Sequence, residues 1–252
     1  MGLDEVFPAP IERLLPSQVR YSSKNVEEKI KNALRKSYVS ETADDEYMLF
    51  FNDGNSLYPP HQPLPAINVQ NGFYIIIDGH HSILASQKVG ATTAFINIIE
   101  STDDYPSPSF WEAMENRGLA YLRTIGGEPC PPANSFQDLC DDPVRYFASL
   151  ARCKVDEKLD LSKARGATYP LWFKIGKDTP FIEFKIADHL YRHGFRVSND
   201  ELNTDDHIDY FIEKARSILQ QYPLNGFRIL YERAHFEESD EIKEYLRAAQ
   251  HA

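Results

Sequence analysis

The chain has 252 residues, of which 42% are hydrophobic and 26% charged, enough for a sizeable core and ordinary for a soluble globular protein. Its net charge of −11 is spread over both halves, which disfavours nucleic-acid binding, because nucleic-acid-binding surfaces usually carry a basic excess. We expect a cytoplasmic protein with reduced thiols, because no apolar run approaches the roughly 20 residues that span a bilayer, no signal peptide is evident, and the three cysteines lack C-x-x-C spacing.

The first hundred residues have the pattern of a small α/β unit. An apolar segment over residues 11–19 is interrupted by Pro16, and Asn25 with Glu28 three positions later has the spacing of a helix capping box. A helical pattern starts at Ser82 and stops before Gly90, a favourable residue just after a helix. Strands are predicted at residues 47–51, 66–69, 72–77 and 93–99, where short apolar runs lie between turn residues.

The second part of the chain is predicted to be mostly helical. Residues 103–108, which contain two aspartates and two prolines, have the composition of a linker. Helices are predicted at residues 110–118, 143–153, 180–193, 206–222 and 239–250. The sequence therefore predicts an α+β fold, with a small α/β domain at residues 1–102 and a mostly helical region at residues 103–252 packed on it.

The most informative stretch is the apolar run at residues 73–77, which leads directly into Asp78-Gly79-His80-His81, here called the DGHH turn. A buried strand, a sharp turn and a following helix present the helix N-terminus, where backbone N–H groups and the helix dipole attract anions. Gly79 permits close approach of a ligand, and the carboxylate and the two imidazoles supply titratable groups. The alternative interpretation is an Asp-Gly turn whose histidines only cap and pack.

The DGHH turn resembles the motif of ParB/sulfiredoxin-like domains, which include the free-serine kinases. The proline followed by Gln-x-Arg at residues 16–20 is similar to the first box of ParB proteins. The closer likeness is to the group called putative ParB-like nucleases, because three later features recur in order: Phe-Trp-Glu-Ala-Met at residues 110–114, Asp-Asp-Pro-Val-Arg-Tyr at 141–146 and Thr-Pro-Phe-Ile-Glu-Phe at 179–184. The resemblance covers residues 11–195.

The resemblance implies a ParB/sulfiredoxin-like domain that binds a small phosphate-bearing ligand at the DGHH turn. In relatives the ligand is a nucleotide, here ATP, ADP or CTP, usually with a divalent metal, which we expect to be Mg²⁺ held by Asp78, because hard cations prefer oxygen ligands. The implied catalytic residues are Asp78, His80, His81 and Glu183. The implied ligand-binding residues are Gln18, Arg20, Gly79, Ser82 and Arg145.

Departures from the relatives narrow what the resemblance implies. Ser82 stands where many relatives have an arginine, so Arg20 or Arg145 would have to replace that cation. Gln18 stands where the serine kinases place a catalytic glutamate, and an amide cannot accept a proton as a base. The acidic helical region does not resemble the DNA-binding module of partition proteins, and Gly79-His80 replaces the Gly-Cys-His turn of sulfiredoxins.

Three functional hypotheses follow from these residues and from the resemblance. The first is a hydrolase or phosphotransferase that acts on a nucleotide or another phosphate ligand with Mg²⁺. The second is a metal-dependent nuclease, which the family's name suggests and the net charge disfavours. The third is a non-catalytic nucleotide-binding or interaction protein. The sequence does not indicate the oligomeric state, and it gives no reason to expect a membrane partner.

Two further candidates have simpler structural interpretations. His189 and His193 have the i, i+4 spacing of a zinc pair, but no glutamate follows the first histidine as in the zinc-protease motif. Asp141, Asp142 and Pro143 have the pattern of a helix N-terminus, with carboxylates that cap and a proline at the first helical position; a second metal site is the alternative.

Overall fold

A computed structural model of the chain describes residues 6–39, 56–58, 62–150, 171–174, 180–202, 205–222, 224 and 227–230. The chain divides into two compact units, Met1–Asp142 and Pro143–Ala252. Strands and helices are both present, so the predicted α+β class is confirmed. The strand predicted at residues 47–51 and the helix predicted at 239–250 lie outside the described residues. Within the described part of the chain, no helix is both long and apolar enough to cross a membrane.

The strands of the first unit are β1 (Val6–Pro10), β2 (Leu14–Pro16), β3 (Arg20–Tyr21), β4 (Leu64–Asn68), β5 (Tyr74–Ile76), β6 (Thr93–Ser101) and β7 (Cys140–Asp141). Five of them form one sheet with the order β1-β6-β4-β5-β2, and β3 and β7 form a separate two-stranded sheet. Its helices are α1 (Ser23–Val39), α2 (His80–Lys88) and α3 (Pro108–Asn116). Pro8 and Pro10 lie in the edge strand β1, where missing N–H groups discourage pairing with another chain.

Parallel pairing of β2 with β5 positions the DGHH turn. Leu14 is opposite Tyr74 and Pro16 is opposite Ile76, so both strands end at the same edge of the sheet. The chain that leaves β2 at residue 17 therefore lies beside the chain that leaves β5 at residue 77. In α/β sheets this edge, at the carboxyl ends of parallel strands, is where ligands commonly bind.

The core of the first unit extends past the predicted domain boundary at residue 102. Phe110, Trp111 and Met114 of α3 are buried in one cluster with Ile67 of β4 and Ile75 of β5. In addition, β7 pairs in parallel with β3. These contacts attach residues 103–142 to the earlier part of the first unit, and the compact unit ends at residue 142.

The second unit contains three helices and a strand pair among its described residues. They are α4 (Pro143–Leu150), β8 (Leu171–Lys174), α5 (Ile182–Arg192), α6 (Asp205–Gln221) and β9 (Phe227–Leu230). Phe147, Phe195 and Phe211 are buried together, with ring centroids 5.5–5.9 Å apart. The antiparallel pair of β8 and β9 was not predicted from the sequence, whereas the three helices were.

Helices α1 and α2, which flank the candidate site, begin earlier than the sequence predicts. Helix α1 begins at Ser23, because the Ser22 hydroxyl accepts a hydrogen bond from the Asn25 N–H at 3.3 Å, as an N-cap does. The expected capping role of Asn25 is therefore wrong. Helix α2 begins at His80, so both histidines of the DGHH turn lie within its first turn and not before it.

Candidate functional site

The DGHH turn connects β5 to α2 through a glycine in a left-handed conformation. Gly79 has φ 94° and ψ 19° and is the N-cap of α2. Its carbonyl accepts hydrogen bonds from the N–H groups of Ser82 at 2.8 Å and Ile83 at 3.1 Å. A Cβ at this position would lie 2.5 Å from Cδ2 of Leu64. The turn therefore needs glycine both for its backbone angles and for the close approach to β4.

Asp78 is the exposed acidic group of this turn. One of its carboxylate oxygens, Oδ1, accepts a hydrogen bond from the Gly79 N–H at 2.7 Å. This bond orients the carboxylate toward the start of α2 and leaves its second oxygen as a further acceptor. Among the described residues there is no group of three or more histidine, cysteine, aspartate or glutamate side chains that could hold a metal. A cation at Asp78 would thus need ligands from a bound molecule or from water.

The imidazoles of His80 and His81 are buried, with 3% and 8% of each residue exposed. Nε2 of His80 accepts a hydrogen bond from the Ser17 N–H at 3.0 Å, and Nε2 of His81 accepts one from the Ser22 N–H at 3.1 Å. A backbone N–H can only donate, so each Nε2 carries no proton and each neutral ring has its proton on Nδ1. Nε2 of each ring is therefore an acceptor within the protein and not a donor to a ligand.

The segment at residues 17–22 is held between these histidines and other backbone. The carbonyl of Ser17 accepts a hydrogen bond from the Tyr121 N–H at 2.9 Å. The carbonyls of Val19 and Tyr21 accept from the N–H groups of Cys140 at 2.9 Å and Asp142 at 2.8 Å. The segment is thus fixed along its length by two neighbouring chain segments and at both ends by the two imidazoles.

Gln18 and Arg20, which were predicted to bind the ligand, make internal contacts. Nε2 of Gln18 donates to the carbonyl of Arg20 at 2.7 Å. Nη1 of Arg20 donates to Oδ2 of Asp142 at 2.8 Å, in an ion pair whose side chains are 1% and 0% exposed. The Arg20 guanidinium also lies 5.7 Å from the ring centroid of Tyr121. Gln18 thus makes a contact within the segment, and Arg20 connects the segment to the residue that follows β7.

The two aspartates before α4, Asp141 and Asp142, bind groups of the first unit. Asp142 pairs with Arg20, and Oδ1 of Asp141 accepts a hydrogen bond from the Ser23 N–H at the start of α1, at 2.9 Å. Burial, and secondarily the Asp141 carboxylate, raises the pKa of Tyr21. Pro143 is the first residue of α4, as predicted. Both carboxylates thus bind groups contributed by residues 20–23, which the predicted helix-capping role did not indicate.

The thiols of the first unit are not activated. Burial raises the pKa of both Cys130 and Cys140, so both are protonated at neutral pH. A protonated thiol is a poor nucleophile. Cys130 and Cys140 are free thiols, whereas Cys153 lies outside the described residues.

Two of the predicted site residues, Arg145 and Glu183, are in the second unit and contact each other. Nη2 of Arg145 donates to Oε2 of Glu183 at 2.8 Å, and the Arg145 guanidinium lies 4.6 Å from the ring centroid of Phe184. Glu183 lies in the first turn of α5. The arginine implied to bind the ligand and the glutamate implied to be catalytic therefore form an ion pair with each other.

The histidine pair of the second unit lies at the end of α5. Nε2 of His189 is 2.6 Å from the carbonyl oxygen of Tyr222, so this nitrogen donates a hydrogen bond. The ring of His193 stacks on the ring of Tyr222 with centroids 4.1 Å apart. Burial is the largest cause that lowers the pKa of His189, and nearby His193 and Arg192 lower it further. The Nε2 that a zinc ion would need is thus engaged with a carbonyl.

A family model described as "Putative ParB-like nuclease" matches residues 7–192 of the chain. The chain belongs to the putative ParB-like nuclease family. The match includes the DGHH turn, the segment at residues 17–22 and the Arg145–Glu183 pair. This ParB-like family member has no match among curated proteins.

Solved structures give a likeness in fold. Protein Atu1540 from Agrobacterium tumefaciens superposes with a TM-score of 0.58 and 24% sequence identity, covering 90% of this chain and 97% of that chain. At this identity the likeness concerns the fold alone. The C-terminally truncated chromosome-partitioning protein ParB from Caulobacter crescentus, complexed with CTP-gamma-S, has a TM-score of 0.26 and 14% identity over 97% of this chain and 98% of that chain. A score this low supports no argument about the site.

Reasoning from the sequence missed the partners of the ParB-like motif. Ser17 and Ser22 contribute backbone N–H groups, which no residue-type pattern reveals, and Asp142 lies 122 residues from Arg20. One signal was available. Residues 17–22 follow a short apolar segment, and its parallel pairing with the strand before the DGHH turn would have brought the two stretches together.

Proposed function

We propose that the protein binds a nucleotide together with Mg²⁺ at the DGHH turn and supports phosphoryl transfer or hydrolysis there. The observation that carries the proposal is the pairing of an exposed carboxylate, Asp78, with a helix whose N-cap is a glycine. A glycine N-cap contributes no side-chain oxygen to the first turn of the helix. The helix dipole and the first backbone N–H groups then favour a negatively charged ligand.

The charge of Asp78 is the reason to include a cation. A carboxylate next to an anion site repels a phosphate unless a positive charge lies between them. Mg²⁺ is usually bound by one or two protein carboxylates together with substrate phosphates and water. A single exposed aspartate agrees with that ligand set. When bound, the ion would neutralise charge that develops on the phosphate.

The proposed reaction class, phosphoryl transfer or hydrolysis, requires a base that takes the proton of the attacking hydroxyl or water. Gln18 cannot accept a proton, and Glu183 is paired with Arg145 in the second unit. Binding without catalysis is therefore an outcome of the test below. A nuclease is the second candidate because of the family's description, although the net charge of −11 disfavours binding to a polyanion.

Thermal unfolding with ATP, ADP, CTP and GTP, with and without Mg²⁺, tests binding. A ligand at 100 times its Kd stabilises the folded state by about 2.7 kcal/mol, which corresponds to a rise in Tm of about 5–10 °C for a chain of this size. We expect a rise that requires Mg²⁺ and disappears in Asp78→Asn. Asp104→Asn, which changes an exposed aspartate elsewhere in the first unit, is the matched control and should respond like the wild type. No rise with any of the four nucleotides would refute the proposal.

Product analysis then separates the candidate activities. Released phosphate, or a phosphorylated acceptor, in the presence of Mg²⁺ would support the enzymatic proposal. Binding with no turnover would identify a non-catalytic nucleotide-binding protein. Cleavage of single- or double-stranded nucleic acid with Mg²⁺ or Mn²⁺ at low salt, lost in Asp78→Asn, would favour the nuclease.

A further inference from the structure

We propose that His80 and His81 are positioning residues, which anchor the first turn of α2 through their side chains so that its backbone, and not the imidazoles, receives the ligand. This proposal extends the proposed function. The part that concerns ligand binding depends on the proposed function being correct. The anchoring part depends only on the contacts of the two rings. It differs from the role implied by the resemblance, in which both histidines are catalytic residues.

Both imidazoles accept hydrogen bonds from the backbone of residues 17–22. The Ser17 and Ser22 N–H groups donate to Nε2 of His80 and His81, at 3.0 Å and 3.1 Å. The Ser17 hydroxyl lies 3.4 Å from the same nitrogen of His80. In each ring Nε2 is the nitrogen farther from the backbone. The far end of each side chain therefore binds a backbone N–H of the protein.

The segment that the rings contact, residues 17–22, is itself held by other parts of the first unit. Residues 17–22 pair with Tyr121 and with residues 140–142 through backbone hydrogen bonds of 2.8–2.9 Å. The buried pair of Arg20 and Asp142 adds a further connection. The ring of His80 also contacts Phe136, with centroids 5.7 Å apart. The imidazoles therefore bind to a fixed frame and not to a movable loop.

The two histidines lie where the helix α2 begins. His80 and His81 are the first two residues of α2, directly after the glycine N-cap. Their backbone forms the part of the helix that attracts anions. Two anchors on adjacent residues fix both the location and the rotation of this turn. Preorganisation of this kind increases affinity because the protein does not lose conformational freedom when the ligand binds.

Glutamine is the conservative replacement, because its Oε1 can lie near the position of Nε2 of histidine and can accept the same backbone N–H. Alanine removes the acceptor that the Ser17 or Ser22 N–H uses. Ser86→Ala is the matched control for instability alone. It removes a buried hydrogen bond of 2.9 Å from the Ser86 hydroxyl to the Ser82 carbonyl within the same helix.

Long-range ¹H–¹⁵N NMR of the wild-type chain tests the anchoring part without any ligand. We expect both histidines to show a protonated Nδ1 and an unprotonated Nε2, because each Nε2 accepts a backbone N–H. A protonated Nε2 in either ring would overturn the proposal. The chain has eight histidines, and the signals that disappear in His80→Gln and in His81→Gln assign the two rings of interest.

Calorimetric titration with ATP and Mg²⁺ as the probe tests the positioning part. We expect His80→Gln and His81→Gln to keep Kd within about threefold, and the two alanine variants to weaken binding by about tenfold or more, as loss of supporting contacts typically does. Ser86→Ala should leave Kd unchanged.

Two results of this titration would overturn the proposal. Glutamine variants as weak as the alanine variants would show that the rings contact the ligand. Alanine variants of normal affinity would show that anchoring does not matter. No binding by the wild type would refute the proposed function, while the NMR result would still decide the anchoring part.

Discussion

Both units contain buried histidines, and the Nε2 atoms of these rings take opposite roles in hydrogen bonds. In the first unit, Nε2 of His80 and Nε2 of His81 accept from backbone N–H groups. In the second unit, Nε2 of His189 donates to the Tyr222 carbonyl. The residue type is the same, but the backbone group opposite the ring decides which nitrogen carries the proton. A histidine motif in a sequence therefore does not indicate whether its rings are available to donate to a ligand.

The units can be compared in a second way, because each contains a buried arginine–carboxylate pair. Arg20 and Asp142 are almost wholly buried, with 1% and 0% of their side chains exposed. Arg145 and Glu183 are 8% and 17% exposed. Removing one member of a buried pair leaves a charge without its counter-charge in a medium of low dielectric constant, and that cost grows with burial.

The largest expected effect is the loss of Asp142. Asp142→Ala should lower the free energy of unfolding by about 3–5 kcal/mol, because Arg20 stays buried without its carboxylate. Glu183→Ala should lower it by about 1–3 kcal/mol, because that pair is closer to solvent. Urea unfolding followed by circular dichroism measures both. Equal losses in the two variants would mean that burial does not set the cost.

The next effect concerns the turn glycine. Gly79→Ala should destabilise the protein by about 1–3 kcal/mol, because its positive φ is strained for alanine and its Cβ would lie against Leu64. Gly90→Ala is the matched control, since Gly90 also has a positive φ but a Cβ added there would meet no atom within 4 Å. It should cost about 1 kcal/mol from strain alone. A Gly90→Ala variant as unstable as Gly79→Ala would contradict this account of the turn.

A smaller effect is expected in the pH dependence of stability, and it arises from His189. Burial lowers the pKa of His189 in the folded state below its ordinary value of 6.5. At a pH between the lowered pKa and 6.5, the unfolded chain therefore binds more protons than the folded chain. Stability should therefore be full above about pH 6.5 and should decrease as the pH falls through the lowered pKa. His189→Gln should make the dependence of Tm on pH less steep between about pH 7 and 5. An unchanged slope in this variant would show that His189 is not a source of the dependence.

The smallest effect is expected at the surface. Glu100 and Arg117 pair through two hydrogen bonds, but their side chains are 37% and 50% exposed. The hydrogen bond from Arg117 lowers the pKa of Glu100, yet Glu100→Gln should cost no more than about 1 kcal/mol, because water screens exposed pairs. Urea unfolding at low and high salt measures it. A loss comparable with that of Asp142→Ala would contradict the role assigned to burial.

Local patterns predicted much of the fold. The strand at residues 74–76, the helix that follows it and the helices α3 to α6 have clear periodicity and turn residues at their ends, so they were predicted with errors of a few residues. The strands β1 and β2 were not predicted, because prolines occupy them and their pairing depends on distant strands. The burial of α3 against β4 and β5 emerges only from the structure, because α3 looks like any amphipathic helix until that contact is seen.

The site was predicted less completely than the fold. The DGHH turn was recognised because a strand, a glycine and a helix are adjacent in sequence. The partners of Arg20, His80 and His81 were not predicted. Every residue except proline has a backbone N–H, so no sequence pattern identifies the ones that bind the histidines, and Asp142 is distant from Arg20 in the chain. The hydrogen-bond direction of a histidine depends on such partners, so the roles of the two rings could only be derived from the structure.

Backbone amide signals during a titration with ATP and Mg²⁺ test the central claim most directly. In ¹H–¹⁵N correlation spectra the account predicts that the largest shifts fall on residues 79–82, at the first turn of α2, and that they vanish without Mg²⁺ or in Asp78→Asn. Spectra that do not change, or shifts that leave these amides unaffected while others move, would contradict it.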